Sequence, residues 1–210
     1  MTADELIKKY QGIRITEEMK QRAKNESEKR ESDIRHHFRT ESLTQEKTDQ
    51  IGFYGEFAFR EILDIDWRKG IRENYKTIDS NDLIVNGWPI DVKTESIPEY
   101  FFLKVLDKSI RDNDWYGRRL FHTGQRNNLE KYDIIMMGSV KRESIFTDDA
   151  AWFPIGWIYA NEIENYPSGK KGPLHHNSKT TIMYPFPGFQ ITTNHLKPVS
   201  ELKVIIGKPK

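Results

Sequence analysis

The segment Asp82-Leu83-Ile84-Val85, Asn86-Gly87, Trp88-Pro89-Ile90-Asp91-Val92-Lys93 decides how the chain is read. Asn-Gly between two apolar runs is the strongest short-range hairpin signal, because both central positions of such a turn need positive φ. A two-residue turn pairs Val85 with Trp88, Ile84 with Pro89, Leu83 with Ile90, and Asp82 with Asp91. Side chains alternate faces along a strand. One face therefore carries Leu83, Val85, Trp88, Ile90 and Val92, all apolar, and the other carries Ser80, Asp82, Ile84, Pro89, Asp91 and Lys93. Pro89 and the Asp82–Asp91 pair both fall in non-hydrogen-bonded positions, where facing Cα atoms stand only about 4.5 Å apart.

Like charges facing each other across a strand pair are destabilising. Lys93, two residues on from Asp91, offsets one of them. A divalent cation offsets both, and oxygen ligands of this kind suit Mg²⁺ or Mn²⁺. A third carboxylate, Glu56, lies on a preceding helix. Two readings of the polar face stand at this point: a solvated surface, and a metal site built from Asp82, Asp91 and Glu56.

Outward from the hairpin, the chain divides by texture. Residues 1–43 are crowded with charge and read as a helical N-terminal arm. Thr2-Ala3-Asp4-Glu5 is a capping box for a helix ending near Gly12. Thr16 to Phe38 is helix-permissive, but its apolar stripe of Met19, Ala23, Ile34 and Phe38 is thin, which suits a solvated surface helix. Residues 44–210 read as the main domain. Ser42-Leu43-Thr44-Gln45 is a second capping box, opening a helix with Ile51, Tyr54, Ala58, Phe59 and Ile62 on one face. Gly52, Gly55 and Ala58 let that helix approach another backbone closely.

Strands are predicted at Tyr100–Leu106, Tyr132–Val140, Phe153–Ala160 and Phe189–Thr193. The stretches 107–131 and 165–180 read as loop, the first with some helix, and Pro198–Ile206 as a short helix or edge. The mixture argues for an α/β or α+β chain with a partly antiparallel sheet.

The 33 Lys and Arg nearly balance the 32 Asp and Glu, so any polyanion must be held by a local patch. The best candidate lies between residues 104 and 142, where nine cations face five acids. Within it Lys104, Arg118, Arg119, His122, Gln125 and Arg126 mix cations, amide and imidazole as phosphate-contacting loops do. The absence of cysteine excludes disulfides, thiolate metal sites and thiol catalysis. His175-His176 sits in a Gly/Pro/Lys stretch and reads as a solvated loop. No apolar run has the length a membrane span needs. Asp4 and Glu5 stand where a signal peptide carries positive charge, so the expected location is cytoplasmic.

Gly55-Glu56-Phe57-Ala58-Phe59 on a helix, Asp82 opening a strand, a tight turn and then Ile90-Asp91-Val92-Lys93-Thr94 resembles the PD-(D/E)xK nuclease superfamily. The resemblance covers about residues 44–140, with Asn81 where the name-giving proline would stand. It implies a restriction-endonuclease-like α-β-β-β-α-β core carrying a helical N-terminal extension. It also implies Mg²⁺-dependent (or Mn²⁺-dependent) phosphodiester hydrolysis with DNA as the favoured substrate and internal cutting as the favoured mode. In that family's terms Asp82, Asp91, the Val92 carbonyl and Glu56 hold the metal, and Lys93 orients water or stabilises phosphate charge. A homodimer would bring two such sites to the two strands. The rival expectation is a non-catalytic nucleic-acid-binding or structural protein that keeps the fold.

Overall fold

The computed structural model of the chain describes residues 1–33, 44–69, 83–174 and 180–210. Its helices are α1 (Ala3–Tyr10), α2 (Glu17–Asp33), α3 (Gln45–Ile62), α4 (Glu99–Leu106), α5 (Arg126–Leu129) and α6 (Val199–Ile206). Its strands are β1 (Ile13–Arg14), β2 (Leu83–Val85), β3 (Trp88–Ile97), β4 (Arg118–His122), β5 (Ile134–Lys141), β6 (Ala151–Tyr159), β7 (Ser168–Leu174) and β8 (Thr181–Thr192). Five strands form a mixed sheet in the order β1-β6-β5-β3-β2, and three form a second sheet in the order β4-β8-β7. The chain is thus mixed α/β, as its alternating texture requires. Among the described residues, no helix is long and apolar enough to cross a membrane.

The hairpin forms in the register set by its turn. Leu83 pairs with Ile90, Ile84 with Pro89 and Val85 with Trp88. Asn86 and Gly87 take the positive φ values, 49° and 89°, that the two-residue turn demands. Asn86 also donates from Nδ2 to the Ile206 carbonyl at 2.8 Å, tying the turn to α6. The expected Asp82–Asp91 pair lies outside the described residues on the Asp82 side, as do the Ser42 cap, Ile34, Phe38, Ser80 and His175-His176. Helix α3 opens from Thr44, whose hydroxyl accepts from the Lys47 amide.

The large sheet is covered on both faces. Alternation along the central strand β5 sends Ile134 and Met136 to one side and Ile135 and Met137 to the other. The first side packs under α2, α3 and α6, through residues such as Met19, Phe57, Ala58 and Leu202. The second packs under α1, α4 and the smaller sheet, through Leu6, Phe102, Phe121 and Ile191. The N-terminal stretch, expected as a solvated arm, contributes to this core. Met19 and Ala23 are fully buried, and β1 adds an edge strand beside β6. Two apolar residues suffice for α2 because α3 supplies the rest of the seam.

Three expectations are corrected. Tyr100–Leu106 lies in α4, a helix. Phe101, Phe102 and Val105 are buried on one side, while Tyr100 and Leu103 are exposed. A short apolar run does not by itself separate strand from helix. Topology decides: β3 and β5 are parallel, and parallel neighbours need a crossover. The segment 165–180, expected as a loop, contains β7, whose glycines and Pro173 are tolerated because the strand pairs on one side only. The segment 107–131 contains β4, hydrogen-bonded to β8.

Candidate functional site

Strand β3 runs well past its short partner. Its described pairing with β2 ends at Ile90, while its other edge pairs with β5 as far as Ile97. Asp91 is therefore the first residue beyond the described hairpin ladder. Its neighbours Ile90 and Val92 point to the α3 side and join the core there. Asp91 and Lys93 share the opposite face, and Lys93 Nζ donates to Asp91 Oδ1 at 2.8 Å. Asp91 is 2% exposed, whereas nearly half of the Lys93 side chain reaches solvent. A buried carboxylate is thus coupled to a partly wet ammonium on one strand, two residues apart.

Helix α3 is locked to the other face of the same strand. A Cβ on Gly55 would come within 1.9 Å of Thr94 Oγ1, so only glycine permits this approach. Thr94 Oγ1 in turn accepts from Trp152 Nε1 at 3.1 Å. Glu56, the next residue, is half-buried. Arg60, one turn on, donates to the Glu56 carbonyl at 3.0 Å and holds Nη1 3.9 Å from its carboxylate. Lys93 and Asp91 are brought into direct contact. Glu56 is carried to β3 by the Gly55–Thr94 seam, on the opposite face of the strand from Asp91. Asp82 lies outside the described residues. Among those described, no three His, Asp or Glu side chains converge as a metal-holding group.

The face carrying Asp91 and Lys93 continues to Glu95, which the sequence reading passed over although it repeats the same two-residue spacing. Glu95 accepts from Nη1 of Arg119 on β4, a short ion pair that bridges the two sheets. Two phenols frame this pair. Burial pushes Tyr184 up, and Glu95 adds to that while Arg118 and Arg119 oppose it. Burial also pushes Tyr116 up, with Arg142, whose Nη2 donates to its hydroxyl at 2.8 Å, pulling the other way.

The residues expected to grip phosphate are dispersed, and several are engaged within the fold. Arg118 donates to Gln190 at 2.9 Å, and Arg126 to Glu164 at 2.7 Å. Lys104 Nζ sits 4.3 Å from the Tyr100 ring centre. His122 Nδ1 accepts from the Gly124 amide at 3.0 Å, and its ring meets Phe186 edge-on. Gln125 is exposed. Arg119, by contrast, is 2% exposed and belongs to the interior. The local cationic excess is therefore spent largely on internal pairs, which charge counting along a sequence does not show.

No protein-family model, curated protein or solved structure matches the chain.

Proposed function

We propose that the chain is a metal-dependent nuclease of the PD-(D/E)xK type, hydrolysing phosphodiester bonds in DNA by internal cutting. One observation carries this reading: a buried carboxylate, Asp91, holds Lys93 Nζ at 2.8 Å where β3 runs past its hairpin partner. Element order supports it. Helix α3, the β2–β3 hairpin, crossover helix α4 and parallel strand β5 follow in the order that a restriction-endonuclease-like core requires.

In this reading Asp91, Glu56, the Val92 carbonyl and Asp82 hold a divalent ion. All are hard oxygen donors, the kind that Mg²⁺ and Mn²⁺ prefer over nitrogen or sulfur. Such an ion, when bound, polarises the scissile phosphate and acidifies a bound water. Asp91 anchors Lys93, which keeps the ammonium on the polar face of β3. Its exposed side places Nζ where a phosphate oxygen or the attacking water can take a hydrogen bond, stabilising charge that develops during hydrolysis. Arg60 restrains Glu56 against free rotation.

The test is incubation of supercoiled, linear, single-stranded and branched DNA with the protein in Mg²⁺ or EDTA, beside Asp91→Ala. Cutting that needs Mg²⁺ and is lost in the variant supports the reading. Cutting that ignores EDTA, or survives Asp91→Ala, refutes it. Retardation of duplex without any cutting transfers the protein to the class of non-catalytic nucleic-acid binders.

A further inference from the structure

Past Lys93, the same face of β3 leads into a cavity of 180 Å³ between the two sheets. Lys93, Glu95, Arg119 and Gln125 supply its polar lining, and Leu120 and Phe121 part of its apolar wall. Arg119 is the informative member. Its Nη1 is taken by Glu95, but Nε and Nη2 are buried without a hydrogen-bond partner among the described residues. Those two N–H groups share one edge of the planar guanidinium and form a fork for two adjacent acceptors. Buried donors left unpaired are costly, and native folds rarely keep them without a use.

Charge separates the candidate ligands. Lys93 is matched by Asp91, and Arg119 by Glu95. A phosphate entering here would meet no excess positive charge and would crowd the Glu95 carboxylate. A neutral, flat ligand with two neighbouring acceptors meets neither obstacle. Guanine presents that pair as O6 and N7, the edge arginine reads most often in nucleic acids. The volume also suits one ring system, since a cavity of about 150 Å³ admits benzene.

We propose that this cavity receives an unpaired nucleobase, guanine in preference, with Arg119 reading O6 and N7. The base belongs to the strand whose phosphate lies at Asp91 and Lys93, a clause that rests on the nuclease reading. The cavity assignment stands apart from it. A base stacked in a duplex does not reach such a pocket, so the substrate is single-stranded at that nucleotide or gives up one base to the protein.

The full chain, labelled with ¹⁵N, is titrated with guanosine, adenosine, cytidine, uridine and inorganic phosphate while the Arg119 Nε–H resonance is followed. Guanosine should shift it saturably and bind at least about ten-fold more tightly than adenosine, as a bidentate base contact provides. Gln125→Trp, at an exposed position on the cavity lining, should preserve the fold and abolish the shift. Phosphate saturating the resonance while the nucleosides fail overturns the inference. So does silence from every probe, or guanosine binding that is unchanged in Gln125→Trp. Guanosine binding in a protein that cuts no DNA supports the cavity and sinks only the nuclease reading. Cutting without guanosine binding sinks only the cavity.

Discussion

Replacing Gly55 with alanine tests the seam that carries Glu56 to β3, and Gly52 supplies the control on the same helix. In α3 each glycine costs roughly 1 kcal/mol of helix propensity relative to alanine. Gly52 has open space around the position of a Cβ, so Gly52→Ala should stabilise the protein by about 0.5–1 kcal/mol. At Gly55 the new methyl would lie 1.9 Å from Thr94 Oγ1 and 3.1 Å from Trp152 Nε1. Either Thr94 rotates away, giving up its hydrogen bond from Trp152 at about 1 kcal/mol, or α3 lifts off a packed core. Overpacking of that kind costs about 1–3 kcal/mol, so after the propensity gain Gly55→Ala should be net destabilising by roughly 1–3 kcal/mol. The two variants then differ by about 2–4 kcal/mol, well outside the uncertainty of urea unfolding at constant m. In a Thr94→Ala background the Gly55→Ala penalty should shrink by about 1 kcal/mol, the mark of contacting residues. Equal stabilisation by Gly52→Ala and Gly55→Ala would refute the close α3–β3 approach, and with it the position given to Glu56.

Two further perturbations address stability. Burial, with Glu17 adding to it, pushes the Tyr54 phenol up to about 12. The unfolded chain therefore loses this proton first as pH rises through 10, and stability falls between pH 10 and 12. The full effect is ~2–3 kcal/mol, and unfolding of Tyr54→Phe followed across that window should show a shallower decline. Asn86→Ala removes both a residue suited to φ of 49° and the 2.8 Å bond to Ile206, and should cost about 1–2 kcal/mol by chemical denaturation.

What was legible in the sequence was what local chemistry specifies. Asn86-Gly87 permits one turn length, and that length sets the pairing of Leu83, Ile84 and Val85 without reference to the rest of the chain. The shared face of Asp91 and Lys93 follows from the period of a strand. Elements decided by distant contacts were not legible. The run Tyr100–Leu106 is apolar enough for either periodicity, and only the parallel β3–β5 pair makes it a crossover helix. Gly169, Gly172 and Pro173 look like loop residues until β8 supplies a partner strand. Arg119 looks like a surface cation until Glu95, 24 positions earlier, neutralises it in the interior. Met19 and Ala23 look too few to bury a helix until α3 completes their seam.

The most direct measurement is single-turnover cleavage of a labelled DNA by wild type, Asp91→Asn and Lys93→Met in Mg²⁺, with the affinity of each protein for the same DNA measured in Ca²⁺. A metal-dependent site at this pair predicts that both substitutions slow cleavage by about 10³-fold or more while affinity stays within about three-fold, as expected when chemistry is lost and binding is not. Cleavage by either variant at the wild-type rate would contradict it.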